Sequence, residues 1–149
     1  MWRSMFDDRC RQATLARLRR LTPDSPRRWG RMTAPQMVAH LTDQMHHALE
    51  DCPVEARPGF LRWALVRYLA IHVMPWPRGR IQGPPEAFQT QPTSWDADVK
   101  GLEHLLERFV VRGPGAQWPD HALLGRMKGS DWGVFVYRHF DHHLRQFGV

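Results

Sequence analysis

Apolar residues recur at three- and four-residue spacing in four long stretches of the chain, which predicts four amphipathic helices. These stretches cover about residues 5–21, 32–50, 94–112 and 130–147. A shorter apolar run at 60–74 predicts an additional short helix, and the prolines and glycines of 75–94 predict a long irregular crossover. No stretch shows the alternation of a half-buried strand. The pattern therefore predicts an all-α fold, an antiparallel four-helix bundle with one long crossover.

The predicted helices carry residues that favour helix ends. Thr33 is a predicted N-cap, and Gln36 follows three residues later as in a capping box. Ser94 and Ser130 are predicted to cap the last two helices, and Gly148 is predicted to end the final one.

The chain is long enough for one core, so we expect a single domain over residues 1–149. The apolar run at 60–74 is too short and too charged to span a bilayer, and we expect an internal or interfacial helix and no membrane partner. A broad apolar helix of this kind is compatible with a homodimer. Cys10 and Cys52 form no CxxC pair and no charged-then-apolar leader is present, so a cytoplasmic location is expected.

The net charge of +6 comes almost wholly from arginine. Nine of the arginines lie within the first 31 residues, where a patch for a polyanion is one interpretation. Asp7 and Asp8 are interspersed among them, and no aromatic or glycine motif of a nucleic-acid module accompanies them. We therefore expect a solvated helix face and no nucleic-acid partner.

Three histidines lie close together in the final predicted helix, in the stretch VYRHFDHHLRQFG. On a helical wheel, His139 and His143 lie on the apolar side and His142 lies at its boundary. An i,i+4 histidine pair can bind one metal ion, which would satisfy two imidazoles that are otherwise unfavourable to bury. Two alternatives stay open: a pairing of His139 with His142, and core histidines held by hydrogen bonds.

A third ligand would strengthen the metal interpretation, and the second predicted helix offers three histidines. His40 and His47 lie together on one edge of its apolar stripe, whereas His46 points outward. Antiparallel packing against the final helix could bring either to the level of the histidine pair, and spacing alone does not choose between them.

Three stretches resemble the DinB/YfiT-like metalloenzyme superfamily, and within it a branch whose members carry a domain of unknown function. They are RRWGRMTAPQMVAHL at 27–41, PWPRG at 75–79 and HALLGRMKGSDWGVFVYRHFDHHLRQFG at 121–148. The last is similar to a closing signature with a His-Pro-x-Phe-Gly turn, from which this chain departs at Ala122 and Leu124. The resemblance implies an up-down-down-up four-helix bundle with a three-histidine site between helices.

The resemblance makes His40 the third ligand, beside His139 and His143. It implies metal-dependent thiol transferases and isomerases that use low-molecular-weight thiols. Three histidines on one divalent ion, Zn, Ni or Fe, would leave a position open that activates water or a thiol for a small-molecule substrate, as in a thiol transferase or a hydrolase. His121 would then lie in a turn at the mouth of the site. A non-catalytic bundle that stores metal, or binds a partner through its arginine-rich first helix, is the alternative.

Three polar residues lie one turn from the predicted ligands. Asp43 and Gln44 follow His40, and either could orient a ligand or substrate, but both are expected to be solvated helix residues. Gln146 follows His143 and is a candidate to contact a ligand.

Overall fold

The structure is a computed structural model that describes residues 2–79 and 85–149, and in these ranges the chain forms five α-helices and no β-strand. The helices are α1 (Asp8–Leu18), α2 (Ala34–Ala48), α3 (Ala64–Tyr68), α4 (Trp95–Arg112) and α5 (Gly129–Gln146). Phe60–Arg62 and Pro85–Phe88 are short 3-10 turns, and Leu69–Val73 is a π-helical turn that continues α3. The predicted all-α class is confirmed, and the four long helices lie where periodicity predicted them.

The start of α2 has the predicted capping box. The N–H of Thr33 donates to Gln36 Oε1 (2.9 Å), and the N–H of Gln36 donates to Thr33 Oγ1 (3.3 Å). Gly148 follows α5 with a φ of 84°, a left-handed conformation that glycine adopts without strain. Both predicted helix ends are confirmed.

The predicted serine caps of the last two helices are not formed. Ser94 precedes α4, but its hydroxyl makes no capping bond within the described ranges. The Ser130 cap is wrong because α5 begins one residue earlier, at Gly129. The carboxylate of Asp131 instead accepts the N–H of Lys128 (3.2 Å), so an acidic side chain in the first turn binds the amide before the helix.

One apolar cluster joins the four long helices. Helix α2 packs against α4 and α5, and α1 packs against α5. The buried stripes include Met37, Leu41 and Met45 of α2, Leu102, Leu106 and Phe109 of α4, and Trp132, Phe135, Val136 and Phe140 of α5. Since α2 and α5 are direct neighbours, polar residues at the edges of their stripes meet between the two helices.

The segment at 60–74 is not the single helix that its apolar run predicts. It is divided into a 3-10 turn, α3 and the π-helical turn. The guanidinium of Arg138, on α5, donates to the carbonyls of Ala70 (3.1 Å) and Ile71 (2.6 Å) and also bonds that of Met74. These carbonyls therefore find donors outside the segment, and no further helical turn is needed to satisfy them.

The apolar side chains of the same segment are largely exposed, so of the two expected placements, internal or interfacial, the internal one is wrong. Phe60, Trp63 and Leu65 are 63%, 67% and 70% exposed. None of the described helices combines the length and apolar character that crossing a bilayer requires. The predicted crossover continues through 80–84, which lie outside the described residues.

Gly133 lies where α5 meets the N-terminal segment, and alanine at this position is predicted to destabilise the protein. A Cβ there would lie 2.3 Å from Ser4 Oγ and 2.5 Å from Phe6 Cδ2. Gly133→Ala should lower the free energy of unfolding by about 1–3 kcal/mol because the contact must open. Urea unfolding followed by circular dichroism measures the change.

Gly101→Ala is the matched control, since it also replaces a glycine within a long helix. A Cβ at position 101 meets no described atom within 4 Å. This substitution should raise the free energy of unfolding by about 0.5–1 kcal/mol, the usual gain in helix propensity. Equal effects of the two substitutions would contradict the close packing at Gly133.

Candidate metal centre

Three histidines from two helices converge between α2 and α5. His40 comes from α2, and His139 and His143 lie one turn apart on α5. One ring nitrogen from each lies within 4.8 Å of the others, and the Nε2 atoms of His40 and His139 are 3.0 Å apart. These are the three residues that the sequence and the resemblance nominated, and the cluster could hold a metal ion.

The ring of His40 is oriented by the crossover. Its Nδ1 lies 2.8 Å from the carbonyl oxygen of Ala87, and Phe88 stacks on the ring at a centroid distance of 4.8 Å. A carbonyl oxygen only accepts hydrogen bonds, so Nδ1 carries the proton and donates it. The Nε2 atom of His40 therefore presents a lone pair to the other two histidines.

The ring of His143 is oriented in the same way by Gln146, one turn further along α5. Gln146 Nε2 donates to the carbonyl of Trp29 (2.8 Å), which assigns the amide orientation. Gln146 Oε1 consequently faces His143 Nδ1 at 2.9 Å and accepts its proton. The lone pair of His143 Nε2 is left for a metal. Gln146 therefore contacts a predicted metal ligand, the role considered for it from sequence.

Asp43 is a buried anchor, and its expected role as a solvated helix residue is wrong. Its carboxylate accepts the N–H of Gln89 (2.8 Å) and both the N–H (3.0 Å) and the hydroxyl (2.5 Å) of Thr90. These bonds tie the crossover to α2 directly after the Pro85–Phe88 turn. Asp43 therefore holds in place the backbone that orients His40.

Burial keeps the three imidazoles in their neutral form. Loss of solvent lowers the pKa of His40, although the bond to Ala87 opposes this shift. Burial and then the neighbouring His143 and His40 hold the pKa of His139 well below its ordinary value. Burial, reinforced by His40, lowers the pKa of His143 to about 3. Neutral imidazole is the metal-binding form, so all three rings can bind a metal at pH 7.

The cluster opens into a cavity of about 390 Å³, here called the histidine cavity. Most of its wall is apolar and includes Phe60, Leu61, Val66, Met74, Trp76, Phe88, Leu124 and Phe135. Among the described lining residues there is no aspartate, glutamate, lysine or arginine. The wall is therefore suited to a small, mainly apolar molecule beside the histidines.

The remaining candidates lie around the cluster. His142 lines the histidine cavity and packs against Trp29 (5.9 Å) and Trp76 (6.0 Å). His47 lines a separate cavity of about 370 Å³, here called the neighbouring cavity. His121 and Gln44 line both. Among the described residues, neither His47 nor His142 joins the group of three.

Trp76 is a site residue that the periodicity did not assign. It belongs to the PWPRG stretch, lies 5.8 Å from the ring of His139 and donates its indole N–H to the carbonyl of Ala70 (2.9 Å). The PWPRG stretch is one of the three that carry the resemblance. Trp76 is one of several tryptophans in the chain, however, and nothing else in the sequence indicated that it lies at the site.

Removal of the Asp43 carboxylate is predicted to release the crossover from α2. In Asp43→Ala, the amides of Gln89 and Thr90 lose their acceptor, so their hydrogen exchange should accelerate at least about tenfold. NMR-detected exchange measures this effect. The control, Asp24→Ala, removes an exposed carboxylate and should leave both exchange rates unchanged. Unchanged exchange in Asp43→Ala would contradict the anchoring role.

The buried histidines predict that the metal-free protein loses stability in mild acid. Burial lowers the pKa of His121 to about 4 and that of His143 to about 3, from an ordinary value of 6.5. Below pH 6.5 the unfolded chain therefore binds more protons than the folded chain, and the free energy of unfolding falls as pH falls. Each such group contributes a slope of about 1.4 kcal/mol per pH unit.

Urea unfolding between pH 7 and pH 4.5 in the presence of a chelator measures this slope. His143→Leu removes one titrating group and should flatten the curve, whereas His104→Leu, at an exposed site on α4, should retain the wild-type slope. The same slope in all three proteins would contradict the buried, neutral state of His143.

The three stretches that carried the resemblance all contribute to the histidine cavity. The first provides His40, the second Trp76, and the third His121, His139 and His143. No curated protein and no solved structure matches the chain. A family model does match, over residues 6–148, and it confirms the expected domain of unknown function. The chain thus belongs to the protein family of unknown function DUF1569.

Proposed function

We propose that the protein is a metal-dependent enzyme in which His40, His139 and His143 hold one divalent ion, Zn, Ni or Fe. One observation carries the proposal: the Nδ1 atoms of His40 and His143 donate hydrogen bonds to Ala87 and Gln146. The Nε2 atoms of both rings are therefore unprotonated and can bind a metal. In this proposal residues 1–149 form one domain, an up-down-down-up four-helix bundle of the DinB/YfiT-like superfamily. The packing of α2 on α4 and α5, and of α1 on α5, supports that arrangement.

The spacing of the nitrogens fits a single ion. Two nitrogens that share a tetrahedral ion with bonds of about 2.1 Å lie about 3.4 Å apart. The 3.0 Å between His40 Nε2 and His139 Nε2 is close to this value. The other nitrogen pairs of the cluster are at most 4.8 Å apart, and a small side-chain adjustment would bring them to the distance that a shared ion requires.

The donor set favours catalysis over a purely structural role. Three protein ligands leave a coordination position open, and an ion held in this way lowers the pKa of a water or thiol ligand. All three donors are neutral, so the ligand group found among the described residues includes no anion to balance a divalent charge. The apolar wall of the histidine cavity offers a surface on which a small-molecule substrate can lie beside the open position.

The alternative of a partner-binding first helix has less support. Two arginines of α1 and one that directly follows it are engaged within the chain: Arg11 with Asp8, Arg17 with Asp141 (2.7 Å) and Arg19 with Glu103 (2.8 Å). Ion pairs of this kind reduce the positive charge that the helix can offer to an acidic partner.

Elemental analysis of protein purified without a histidine tag tests the metal centre. The wild type should contain, or take up on titration, about one divalent ion per chain. His139→Ala and His143→Ala should each lower the affinity at least about a hundredfold, since each removes one of three donors. His104→Ala, which removes an exposed histidine of α4, is the matched control and should retain the metal.

Trace metal in the wild type, with no uptake on titration, would contradict the proposal. If metal binds, thiol-transfer and hydrolysis assays of the loaded protein separate an enzyme from a metal-storing bundle. Activity that is lost in His139→Ala but kept in His104→Ala supports catalysis. A loaded protein that is inactive in every assay favours the storage role.

A further inference from the structure

His121 is a second functional side chain at the histidine cavity, outside the cluster of three. It lies in the loop between α4 and α5, and its ring packs against Phe135 (4.7 Å) and Trp132 (5.6 Å). Phe135 also contacts the ring of His139 (5.8 Å). One aromatic ring therefore lies between His121 and the proposed metal ligands.

The loop fixes the tautomer of His121. The backbone N–H groups of Leu123 and Leu124 both donate to His121 Nδ1, each at 3.2 Å. An N–H group cannot accept a hydrogen bond, so Nδ1 must be unprotonated. Burial, aided by His47 and Arg62, lowers the pKa of His121 to about 4, and the ring is neutral at pH 7. Its single proton is therefore on Nε2.

This Nε2–H donor is not fully buried. Within the described residues it makes no hydrogen bond, and it is not one of the fully buried unpaired atoms, which are Arg57 Nε and His72 Nδ1. The ring lines both the histidine cavity and the neighbouring cavity. A fixed, neutral donor on a cavity wall selects a ligand that carries an acceptor.

The rest of the histidine cavity limits the chemistry of such a ligand. The described wall is mostly apolar and includes no aspartate, glutamate, lysine or arginine, so in the metal-free protein a charged body would be desolvated there without an oppositely charged partner. An uncharged oxygen acceptor on an apolar body meets both conditions.

We propose that the histidine cavity binds a small molecule with an apolar body and an uncharged oxygen acceptor, and that His121 Nε2–H binds this oxygen. The inference rests on the proposed function in that it names the ligand class of the same cavity. Its test uses metal-free protein, so that failure of ligand binding and failure of metal binding are separate results.

Three probes of nearly equal shape test the proposal by NMR titration in the presence of a chelator. They are benzylacetone, its alkene analogue in which a methylene group replaces the carbonyl oxygen, and hydrocinnamate, in which a carboxylate replaces the methyl ketone. Wild-type protein should bind the ketone and bind the carboxylate more weakly. In His121→Asn, the ratio of ketone to alkene affinity should fall about three- to tenfold, the usual effect of one hydrogen bond.

His121→Asn is chosen because its side-chain oxygen can still accept the amides of Leu123 and Leu124, whereas it ends before the Nε2 position. His47→Asn is the matched control, since His47 lines only the neighbouring cavity, and it should keep the wild-type ratio. An unchanged ratio in His121→Asn, tightest binding of the carboxylate, or no binding of any probe at millimolar concentration would overturn the proposal.

A second measurement decides the case in which His121→Asn does not fold. Heteronuclear NMR of the imidazole nitrogens in the wild type should show His121 protonated at Nε2 alone, and benzylacetone should shift that resonance. A proton on Nδ1, or no shift when the ketone binds, would overturn the proposal.

Discussion

The site depends on one constraint: a buried imidazole can turn an unprotonated nitrogen inward only if its other nitrogen donates a hydrogen bond outward. His40 meets this constraint through Ala87, and His143 meets it through Gln146. The acceptors belong to different parts of the chain, since Ala87 lies in the crossover and Gln146 is itself fixed by Trp29, before α2. The histidine cluster and the loops on both sides of it therefore form one hydrogen-bonded unit.

The acidic side chains nearest to this hydrogen-bonded unit are engaged elsewhere and do not join the histidine cluster. Asp43 lies one turn from His40, but its carboxylate is occupied by three donors from the crossover. Asp131 is paired with His72 (3.0 Å) and the amide of Lys128, away from the cluster. No described carboxylate joins the three imidazoles. The positive charge of a bound ion would thus be met by its exogenous ligand, which makes that ligand's ionisation part of the binding equilibrium.

Much of the fold and the pair of histidines on α5 were accessible from sequence because both depend on helical periodicity. An i,i+4 pair on an apolar face specifies His139 and His143. The choice of His40 over His47 came from the resemblance, because both lie on the same edge of the apolar stripe of α2 and spacing does not separate them. The role of Asp43 was not accessible, because its partners lie in an irregular crossover whose path no periodicity describes. The break in the 60–74 run was missed for a similar reason: the donor that caps it, Arg138, is remote in sequence.

Helix α5 carries three kinds of contact along its length. The carbonyl of Gly133 accepts the backbone N–H of Met5 (2.9 Å), Arg138 binds carbonyls of the 60–74 segment, and His139 and His143 belong to the histidine cluster. Each residue in an α-helix advances the direction of the side chains by about 100°. Insertion or deletion of one residue between Gly133 and His143 would therefore rotate one set of contacts away from its partners. Evolutionary change in length is consequently far easier to accommodate in the loop between α2 and α3 than within α5. The number of residues in α5 determines which side chains face the site.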